Sequence, residues 1–599
     1  MAFESLVSMQ LETCRANASR PVFGTKVDGT YRWMTYAEFG AEVDRLRGGL
    51  HALGVRRGDR VAIVANNRVE WAVAAYATYS LGAQFVPMYE AQQAKEWQFI
   101  VEDAGASVLI VANEAIHALV ASWPGSVGVL RDVVVLDASP GAENSYPALL
   151  GRGDRAPVPA VLPASGDVAG LIYTSGTTGE PKGVILTHGN FCSNIEGVHR
   201  IFPVSPDDVS LSFLPWAHSF GQTVELHVLL SMGASMGLAE SVATLLQNFQ
   251  EVRPTLLFAV PRVFNRIYDG IRKRIEDEKP AKRWLMQRAL MVSRERRLLA
   301  GEGRHSVWLD AQHRLLDRLV LQKIRDRFGG RFKYAFSGGA ALSREVAEFV
   351  DDVGIMVFEG YGLTETAPIA TANSPEHRRI GTIGKPLPGV DIVICDEAGR
   401  RVAPGHDGEI VVIGPNVMWG YHNRPDATAE VIFEFEGRRA FRTGDMGRIE
   451  DDGFVRITGR FKEQYKLENG KYVVPSPLEE QLKLSLFIAN AFVYGDNRPF
   501  NVALVVPDAE VCGAWLRAQG EEAGSLAQMA GSRRLHQRIG EEIARYGSEM
   551  KGFERPERWA LLPEDFTLEN DLLTPSLKLK RRNVVARHGS RLEELYRQA

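Results

Sequence analysis

An apolar run passes directly into a polar loop at Gly170-Leu-Ile-Tyr-Thr-Ser-Gly-Thr-Thr-Gly-Glu-Pro-Lys-Gly183. The pattern predicts a buried strand through Tyr173, followed by a loop rich in glycine and hydroxyl side chains. Hydroxyl groups and the bare backbone N–H groups of a glycine-permitted loop form a concave anion site, to which Lys182 adds a positive charge. The candidate phosphate-binding residues are Thr174, Ser175, Gly176, Thr177, Thr178, Gly179 and Lys182. Their spacing is not that of the Walker A loop.

Two further glycine-rich segments follow predicted strands. They are Phe336-Ser-Gly-Gly-Ala-Ala-Leu342 and Glu359-Gly-Tyr-Gly-Leu-Thr-Glu-Thr366. Open α/β sheets bind ligands at the carboxyl ends of their strands, so both segments are candidate ligand loops. Three polar motifs come later in the chain: Arg442-Thr-Gly-Asp445, Gly459-Arg-Phe-Lys-Glu-Gln-Tyr-Lys466 with Gly470-Lys-Tyr472, and Leu573-Thr-Pro-Ser-Leu-Lys-Leu-Lys-Arg-Arg582. Each motif alone also fits an ordinary turn or a solvated basic face.

Taken in order, these motifs resemble those of the adenylate-forming (acyl-activating) enzymes, from about Tyr36 to about Arg582. The resemblance implies ATP, Mg²⁺ and a carboxylic acid that is activated as an acyl-adenylate. Gly470-Lys-Tyr-Val-Val-Pro475 and Leu572-Leu-Thr-Pro-Ser-Leu-Lys578 look most like the long-chain fatty acyl-CoA synthetases. That branch implies a fatty acid as substrate and coenzyme A as co-substrate.

The resemblance also implies roles for the residues of a nucleotide site. The residues around adenine would be Gly338, Gly339, Ala340, Glu359, Gly360 and Tyr361, with Tyr361 stacked on the base. Thr364 would bond the α-phosphate, and Glu365 would hold Mg²⁺, a hard cation that prefers carboxylate oxygen. Asp445 would accept the ribose hydroxyls, as acidic residues do in other nucleotide sites, and Arg460 would contact ribose or phosphate.

The last two motifs resemble the moving parts of the family. Lys462 occupies the hinge position, in the segment that continues through Lys466 and Gly470 into a mobile C-terminal domain. Lys578 matches a catalytic lysine that reaches the main site during adenylation, and Lys580 is the rival candidate. Attack of a carboxylate on the α-phosphate brings two anions together, so a fixed cation there lowers the barrier.

Two segments have competing interpretations. His218, in Pro215-Trp-Ala-His-Ser-Phe-Gly221, matches a family segment that borders the acyl and CoA tunnels and is a candidate catalytic residue. A satisfied core histidine beside aromatic residues is the alternative.

Gly233-Ala-Ser-Met-Gly237 fits the Gly-x-Ser-x-Gly elbow of serine hydrolases. Because no His-Gly-Gly-Gly-like segment precedes it, a plain glycine-containing turn is favoured.

The alternation of helix and strand patterns predicts the architecture. Between Tyr36 and Ala112 it is typical of an α/β fold with a largely parallel sheet. Turn residues punctuate short β-like runs from Ile380 to Val412, which predicts a small β-subdomain. A chain of 599 residues is too long for one core. We expect residues 1–459 to form a large N-terminal domain of α/β subdomains plus the β-subdomain, and residues 460–599 to form a small, mobile α+β C-terminal domain.

Charge and cysteine content narrow the class of protein. The net charge of −4 and the isoelectric point near 6.4 argue against nucleic-acid binding. The four cysteines form no Cys-x-x-Cys pair, so we expect neither a disulfide framework nor a zinc site, and a cytoplasmic location. The N-terminus lacks a secretory-signal pattern, and no apolar run is long enough to predict a transmembrane helix.

A basic segment extends from Pro261 to Lys333, where Lys and Arg outnumber Asp and Glu about two to one. Its pattern is mostly helical. The residues expected on one helical face are Leu315, Leu316, Leu319, Val320, Ile324 and Phe328. The charge suits an anionic bilayer, which would make the protein membrane-associated. An ordinary charged helical hairpin is the equal alternative.

The function expected from this resemblance is a two-step ligase whose partners are a fatty acid, ATP and CoA. The sequence leaves open whether the protein forms a homodimer. One alternative is a fatty acyl-AMP ligase that loads a separate carrier protein. Another is a non-catalytic lipid- or nucleotide-binding relative, against which the intact motif residues argue. An oxygenase of the luciferase type shares every motif, although the long-chain signatures argue against it.

Overall fold

The computed structural model describes residues 3–139, 141–175, 180–241, 243–461, 463–574 and 578–597. The chain forms two compact units. The larger unit comprises Met1–Val393, Val411–Thr443 and Ile449–Arg456, and the smaller unit comprises Ile394–Ile410, Gly444–Arg448 and Ile457–Ala599. The division into domains 1–459 and 460–599, with the second domain mobile, stays a prediction.

One sheet of the larger unit has seven strands among the described residues. In spatial order they are Gly420–Tyr421, Pro181–Thr187, Val168–Ser175, Gln84–Met88, Arg60–Val64, Val108–Asn113 and Asp132–Asp137. The last five pair in parallel, and the first two join antiparallel. The helix–strand alternation predicted between Tyr36 and Ala112 forms its centre. Those strands are almost continuously apolar and buried, as expected where both faces of a sheet are covered.

A second sheet of the larger unit has nine strands in the described part of the chain. In spatial order they are Lys385–Pro386, Ile369–Ala372, Val357–Gly362, Tyr334–Ser337, Leu256–Ala259, Val209–Ser212, Ser235–Leu238, Pro21–Val27 and Thr30–Thr35. Tyr334–Ser337 and Val357–Gly362 are parallel neighbours, with Ser337 opposite Glu359. The two glycine-rich segments therefore continue from adjacent strands at the same edge of the sheet.

Helices surround these two sheets. The α-helices of the larger unit are Leu6–Ala16, Tyr36–Ala52, Val69–Tyr79, Ala94–Ala104, Glu114–Val120, Tyr146–Arg155, His188–Ile201, Val228–Ser231, Leu245–Val252, Pro261–Asp277, Pro280–Gly301, Val307–Leu316, Gln322–Arg325, Arg344–Asp352 and Pro425–Val431. Phe220–His227 and Asp317–Leu321 are π-helical, and Asp326–Phe328 and Thr364–Thr366 are 3₁₀ turns. No helix within the described residues is long and apolar enough to cross a membrane.

The predicted apolar face near the end of the basic segment is partly wrong. Leu316, Val320, Ile324 and Phe328 are buried, but Leu315 and Leu319 are 61% and 45% exposed. The four buried residues are spaced by four and already form a continuous contact stripe. Leu315 and Leu319 each precede a buried residue by one position, about 100° around a helix, and so point away from the contact.

Short strands complete the region where a β-subdomain is predicted. The region between Ile380 and Val412 includes the strands Lys385–Pro386 and Asp391–Cys395, and the strand Gly408–Ile413 lies at the end of that region. Further strands are Ile432–Phe435, Arg438–Ile449 and Val455–Arg460.

The smaller unit is built on a three-stranded sheet. Its strands are Ile488–Tyr494, Asn501–Pro507 and Pro556–Leu561, the first pair antiparallel and the second parallel. A short hairpin pairs Tyr465–Lys466 with Tyr472–Val473. The helices are Pro475–Leu482, Ala509–Ala518, Leu526–Ala530, Arg533–Tyr546 and Arg581–Arg597, with a 3₁₀ turn at Gly547–Glu549. Residues of Asn501–Pro507 alternate between two apolar cores, one on each face of the sheet.

Candidate active site

The predicted phosphate loop joins two paired strands. Val168–Ser175 and Pro181–Thr187 run antiparallel, with Thr174 opposite Lys182. The strand extends two residues beyond the predicted end at Tyr173. The loop residues Gly176, Thr177, Thr178 and Gly179 lie outside the described residues. The flanking strands bring Thr174 and Lys182 to the two sides of the loop.

The base of this hairpin requires a glycine at position 183. A Cβ added to Gly183 would lie 2.9 Å from the ring of Tyr173 on the facing strand. The Tyr173 hydroxyl donates to Asp103 Oδ2 at 2.6 Å, which fixes the ring in that position. The last glycine of the motif therefore has a packing role.

Three side chains from distant segments meet beside the loop. The Tyr421 hydroxyl donates to Glu365 Oε1 at 2.8 Å, and Lys182 Nζ lies 5.2 Å from the centre of the Tyr421 ring. The edge strand Gly420–Tyr421 pairs with Pro181–Thr187, which places the ring there. Burial and the nearby Glu365 carboxylate raise the pKa of Tyr421, so its hydroxyl stays a donor. Tyr421 belongs to none of the sequence motifs and was missed.

The turn that carries Thr364 and Glu365 is fixed from two directions. Thr364 is buried, and its hydroxyl oxygen lies 3.1 Å from the hydroxyl oxygen of Ser219. The backbone N–H of Met418 donates to the Glu365 carbonyl at 2.8 Å. Ser219 directly precedes the π-helix Phe220–His227, a helix type that is frequent at functional sites. Ser219 lies in the segment 215–221, where the sequence pointed to His218 and not to this serine.

The glycine-rich segment after Tyr334–Ser337 requires small residues. A Cβ on Gly338 would lie 3.1 Å from the ring of Phe220, and Gly339 has a φ of +83°, which favours glycine. Gly339 and Ala340 are exposed at the end of the strand. An exposed backbone without bulky side chains permits the close approach of a flat ligand.

Strand Val357–Gly362 presents the second adenine segment beside the first. Tyr361 pairs with Thr371, and Gly360 pairs with Ala372 on the next strand. Burial raises the pKa of Glu359 to about 7, although the backbone N–H of Gly381 donates to Oε1 at 3.4 Å. A carboxyl group that titrates near neutrality beside a candidate ligand loop is typical of functional sites.

In the smaller unit, Asp445 and Arg460 form an ion pair. Arg460 Nε lies 2.6 Å from Asp445 Oδ1, and the Asp445 side chain is almost completely buried. Arg460 Nη1 lies 3.7 Å from Glu463 Oε1. The two predicted ribose residues are thus brought together, and the carboxylate of Asp445 is oriented by Arg460.

The hairpin after Arg460 carries two more of the predicted residues. Lys466 Nζ lies 5.5 Å from the centre of the Tyr472 ring on the paired strand. Gly470 forms the turn between them with a φ of +84°. The predicted hinge residue Lys462 lies outside the described residues.

The two candidate catalytic lysines lie on a small closed loop. The Thr574 N–H donates to the Lys578 carbonyl at 2.8 Å, and the Lys580 N–H donates to the Leu572 carbonyl at 2.9 Å. Lys580 Nζ lies 2.6 Å from Asp571 Oδ1, whereas the Lys578 residue is exposed. Residues 575–577, including Ser576 and Leu577 of the motif, lie outside the described residues. The ammonium group of Lys580 therefore contacts a carboxylate of the loop itself.

A buried ion pair holds the base of this loop. Arg581 Nη2 lies 2.6 Å from Oε1 and 2.5 Å from Oε2 of Glu479, and the Val493 N–H also donates to Oε1 at 2.7 Å. Burial raises the pKa of Glu479, while Arg581 opposes that rise. Sequence reasoning missed the pair because its partners are 102 residues apart.

His218 and Ser235 have structural contacts in the larger unit. His218 Nδ1 accepts from the Phe220 N–H at 3.1 Å at the start of the π-helix, and the ring is half-buried. Ser235 is buried in the strand Ser235–Leu238, where its hydroxyl donates to the Pro21 carbonyl at 2.7 Å. A serine in that position does not form a nucleophile elbow, which lies at a strand-to-helix turn.

Comparison with known proteins extends over the whole chain. The AMP-binding enzyme family matches residues 12–422, and its C-terminal domain matches residues 462–599. Long-chain-fatty-acid–CoA ligase FadD15 of Mycobacterium bovis is 33% identical over 99% of this chain and 97% of that protein. The peroxisomal long chain acyl-CoA synthetase 7 of Arabidopsis thaliana is 32% identical over 97% and 84%.

A solved structure shares the fold. The adenylation domain of a carboxylate reductase from Mycobacterium chelonae has a TM-score of 0.80 at 23% identity, covering 99% of this chain and 91% of that one. The likeness confirms the predicted fold class, a large N-terminal and a small C-terminal domain of mixed α/β structure.

Proposed function

We propose, from the premise that the chain belongs to the AMP-binding enzyme family, that it is a long-chain-fatty-acid–CoA ligase. It converts a long-chain fatty acid and ATP to acyl-AMP and pyrophosphate, and then transfers the acyl group to CoA, giving acyl-CoA and AMP. One observation carries this proposal: the 33% identity to a protein of that name over 99% of the chain.

The first step places a carboxylate oxygen of the fatty acid on the α-phosphorus of ATP, and pyrophosphate leaves with the bridging oxygen. Negative charge accumulates on the non-bridging oxygens and on the leaving group. Preorganised cations and N–H donors aimed at those oxygens stabilise the transition state. Lys182 and the glycine-rich loop would act on the phosphate chain, and the Thr364 hydroxyl beside Ser219 would bond the α-phosphate.

The residues around Glu365 fit a magnesium ion. Mg²⁺ is bound in such sites by one or two carboxylates together with substrate phosphates and waters. Tyr421 donates to one oxygen of Glu365, which orients the carboxylate and leaves its acceptor capacity for a hard cation. When bound, the ion would neutralise phosphate charge. Lys182, 5.2 Å from the same tyrosine ring, would bring its ammonium group to the same phosphates.

The other polar groups of the proposed site belong to the smaller unit. Asp445, oriented by Arg460, would accept the ribose hydroxyls. Lys578 is the preferred catalytic lysine, because its position in the motif matches the mobile lysine of the family. The Gly338–Ala340 segment and Tyr361 of the larger unit would enclose adenine.

The second step requires a different group near the adenylate. The CoA sulfur attacks the acyl carbonyl carbon, and AMP leaves with the carboxyl-derived oxygen. We propose that domain 460–599 turns about Lys462 between the steps, so that Lys578 acts only in the first. Such closure and rotation keep a reactive intermediate away from water.

The test supplies ATP and a panel of fatty acids, with and without CoA, and measures pyrophosphate and thioester separately. A long-chain-dependent release of pyrophosphate and a CoA-dependent thioester are expected. Adenylate without thioester would instead support the acyl-AMP ligase that loads a carrier protein. If no fatty acid stimulates the release of pyrophosphate, both the CoA ligase and the acyl-AMP ligase are excluded.

A further inference from the structure

Two consecutive helices of the larger unit expose an unusual number of large apolar side chains. They lie on Pro280–Gly301 and on the helical segment from Val307 through Leu321. We call the following six residues the hairpin surface: Trp284, Met291, Leu298, Trp308, Leu315 and Leu319. Trp284 is 65% exposed and Trp308 is 73% exposed. Single exposed apolar residues are common, but a concentration on one structural element indicates an interaction site.

The spacing of these residues puts each set on one side of its helix. Trp284, Met291 and Leu298 are seven residues apart, which is two helical turns with a drift of about 20° per step. Trp308 and Leu315 are also seven apart, and Leu319 follows one turn later. Both helices therefore present a row, or stripe, of apolar side chains to solvent, and polar residues such as Arg288 and Arg294 lie between them one turn along.

Contacts between the helices show that both stripes lie on the same side of the hairpin. Arg296 Nε lies 2.7 Å from Asp310 Oδ1, and Arg288 Nη2 donates to Gln312 Oε1 at 3.1 Å, as in an antiparallel pair. At about 100° per residue, Arg288 lies about 40–60° around its helix from Trp284 and Met291, and Gln312 lies equally close to Trp308 and Leu315, so this contact is beside both stripes. Arg296 and Asp310 lie about 140–160° from their stripes, on the opposite side of the hairpin. Because one contact lies beside both stripes, the two stripes converge on one face.

The opposite face of the hairpin is attached to the body of the unit. Arg297 Nε lies 2.8 Å from Asp352 Oδ1 on the helix Arg344–Asp352. Met286, Ala289 and Val292 are buried. The apolar stripes therefore point away from the protein, and they are not part of its core.

The charges around the hairpin surface are mainly basic. Arg294, Arg314 and Arg318 are exposed beside the stripes. Of the acids nearby, Asp310 pairs with Arg296 and Asp317 pairs with Arg325, each at 2.7 Å. Glu295 and Glu302 lie beside the first stripe, and Glu302 pairs with Arg304 at 2.9 Å. The combination of tryptophan, aliphatic side chains and arginine matches the interface of a bilayer, where Trp lies at headgroup level and basic residues are attracted by anionic lipid.

We propose that the hairpin surface docks this protein onto lipid bilayers that contain anionic lipid. The inference goes beyond the proposed reaction and does not rest on it, because docking can be measured without ATP, CoA or fatty acid. A second copy of the chain is the competing occupant, since Trp and Arg also dominate protein interfaces. The arginines beside the stripes would lie close to those of the second copy in such a symmetric pair, and this like-charge repulsion favours the bilayer.

The test floats the full-length protein with phosphatidylcholine vesicles, with and without phosphatidylglycerol, at low and high salt. The unmodified protein is expected to float with the anionic vesicles. The double variant Trp284→Ser, Trp308→Ser is expected to lose at least about tenfold in partitioning, because two large apolar side chains no longer enter the interface. Arg314→Glu with Arg318→Glu is expected to lose a similar factor, and only with anionic vesicles.

Matched variants separate this surface from a general loss of apolar area or charge. Leu119 and Leu162 are exposed elsewhere on the same unit, and Leu119→Ser with Leu162→Ser should float like the unmodified protein. Arg32→Glu with Arg400→Glu is the charge control. Unchanged thermal unfolding shows that each variant is folded.

Three outcomes would overturn the proposal. One is an unmodified protein that does not float with anionic vesicles. Another is an equal loss in the control and hairpin variants. The third is a hairpin variant that shifts the sedimentation coefficient from dimer to monomer without changing flotation, which would assign the surface to a homodimer.

Discussion

Among single residues, Tyr421 connects the two chemical parts of the candidate site. Its ring lies beside the Lys182 ammonium group and its hydroxyl holds the Glu365 carboxylate. The contact depends on the pairing of the short strand Gly420–Tyr421 with Pro181–Thr187, far away in the sequence. A local motif does not encode such a pairing, which is why the residues on either side were predicted and the tyrosine between them was not.

Removing the Tyr421 hydroxyl should weaken the site for Mg²⁺. In Tyr421→Phe the ring stays beside Lys182, but Glu365 loses a hydrogen bond of the charged type, worth about 1.5–3 kcal/mol. The Mg²⁺ concentration for half-maximal adenylation should rise several-fold, and Glu365→Ala should raise it further. Tyr146→Phe, which removes a tyrosine–carboxylate bond to Glu42, is the control. An unchanged Mg²⁺ dependence in both site variants would remove Glu365 from the metal site.

The buried Glu225 should make stability depend on pH. Burial raises its pKa to about 8, and the hydroxyls of Ser210 and Ser212 donate to it. Between its unfolded value and about 8 the folded state binds more protons, so stability falls as pH rises through this window. For one titrating group, the free energy of unfolding can fall by at most about 1.4 kcal/mol per pH unit.

Glu225→Gln isolates this effect, because glutamine keeps the shape without titrating. The free energy of unfolding should fall less steeply between pH 5.5 and 8.5 in the variant than in the unmodified protein. Parallel curves would show that Glu225 is not the titrating group.

At the level of elements, the buried pair Arg581–Glu479 anchors the loop of the candidate catalytic lysine to the sheet of the smaller unit. Arg581→Ala leaves a buried carboxylate without its partner, which costs about 3–5 kcal/mol. Denaturation of the variant should show that loss. Arg587→Ala, on the same helix, removes a pair with the partly exposed Glu564 and should cost less than about 1 kcal/mol. Similar small losses for both would contradict the anchoring role.

The loop itself predicts different effects for its two lysines. Lys578→Ala should slow adenylate formation by roughly 10²–10³-fold, the scale for losing one preorganised group, while thiolysis of added acyl-AMP stays near normal. Lys580→Ala breaks the pair with Asp571 and should have a much smaller effect. Single-turnover rates for each half-reaction measure this. If Lys580→Ala shows the selective loss, the assignment is displaced by two residues.

Elements with strong local patterns were predictable from sequence. The strand Gln84–Met88 lies within the helix–strand alternation predicted between Tyr36 and Ala112, and its apolar run begins just after the turn at Gly82. The helical face near Leu319 failed because periodicity identifies a stripe but not how wide the contact is. The pairs Tyr421–Glu365 and Arg581–Glu479 join distant segments, and only the folded backbone brings them together.

For the whole molecule, the order of the motifs was more informative than any motif alone. A Thr-Gly-Asp turn or a basic tail has many structural explanations, but their sequence after the phosphate loop fits one fold, which the solved structures share. The same order distributes the proposed work between two units. The larger unit would hold the phosphates, and the smaller unit would contribute Asp445, Arg460 and Lys578.

The division of work requires a pivot, and Lys462 is the proposed one. A hinge absorbs its motion in the φ and ψ angles of one or two residues. Proline fixes φ near −65° and removes the N–H, so Lys462→Pro should favour one arrangement of the domains. The variant should lose one half-reaction far more than the other, most strongly the thiolysis, while it still folds. Lys462→Ala removes the charge but leaves φ free, and it should affect the two steps alike.

Two single-turnover rates decide the question, one for adenylate formation and one for the conversion of added acyl-AMP with CoA. A selective loss in Lys462→Pro that is absent in Lys462→Ala supports rotation at this residue, because only the backbone constraint differs between them. Equal losses of both rates in the proline variant would mean that the pivot lies elsewhere. The proposal that Lys578 acts in the first step alone would then need another hinge to remove it from the second.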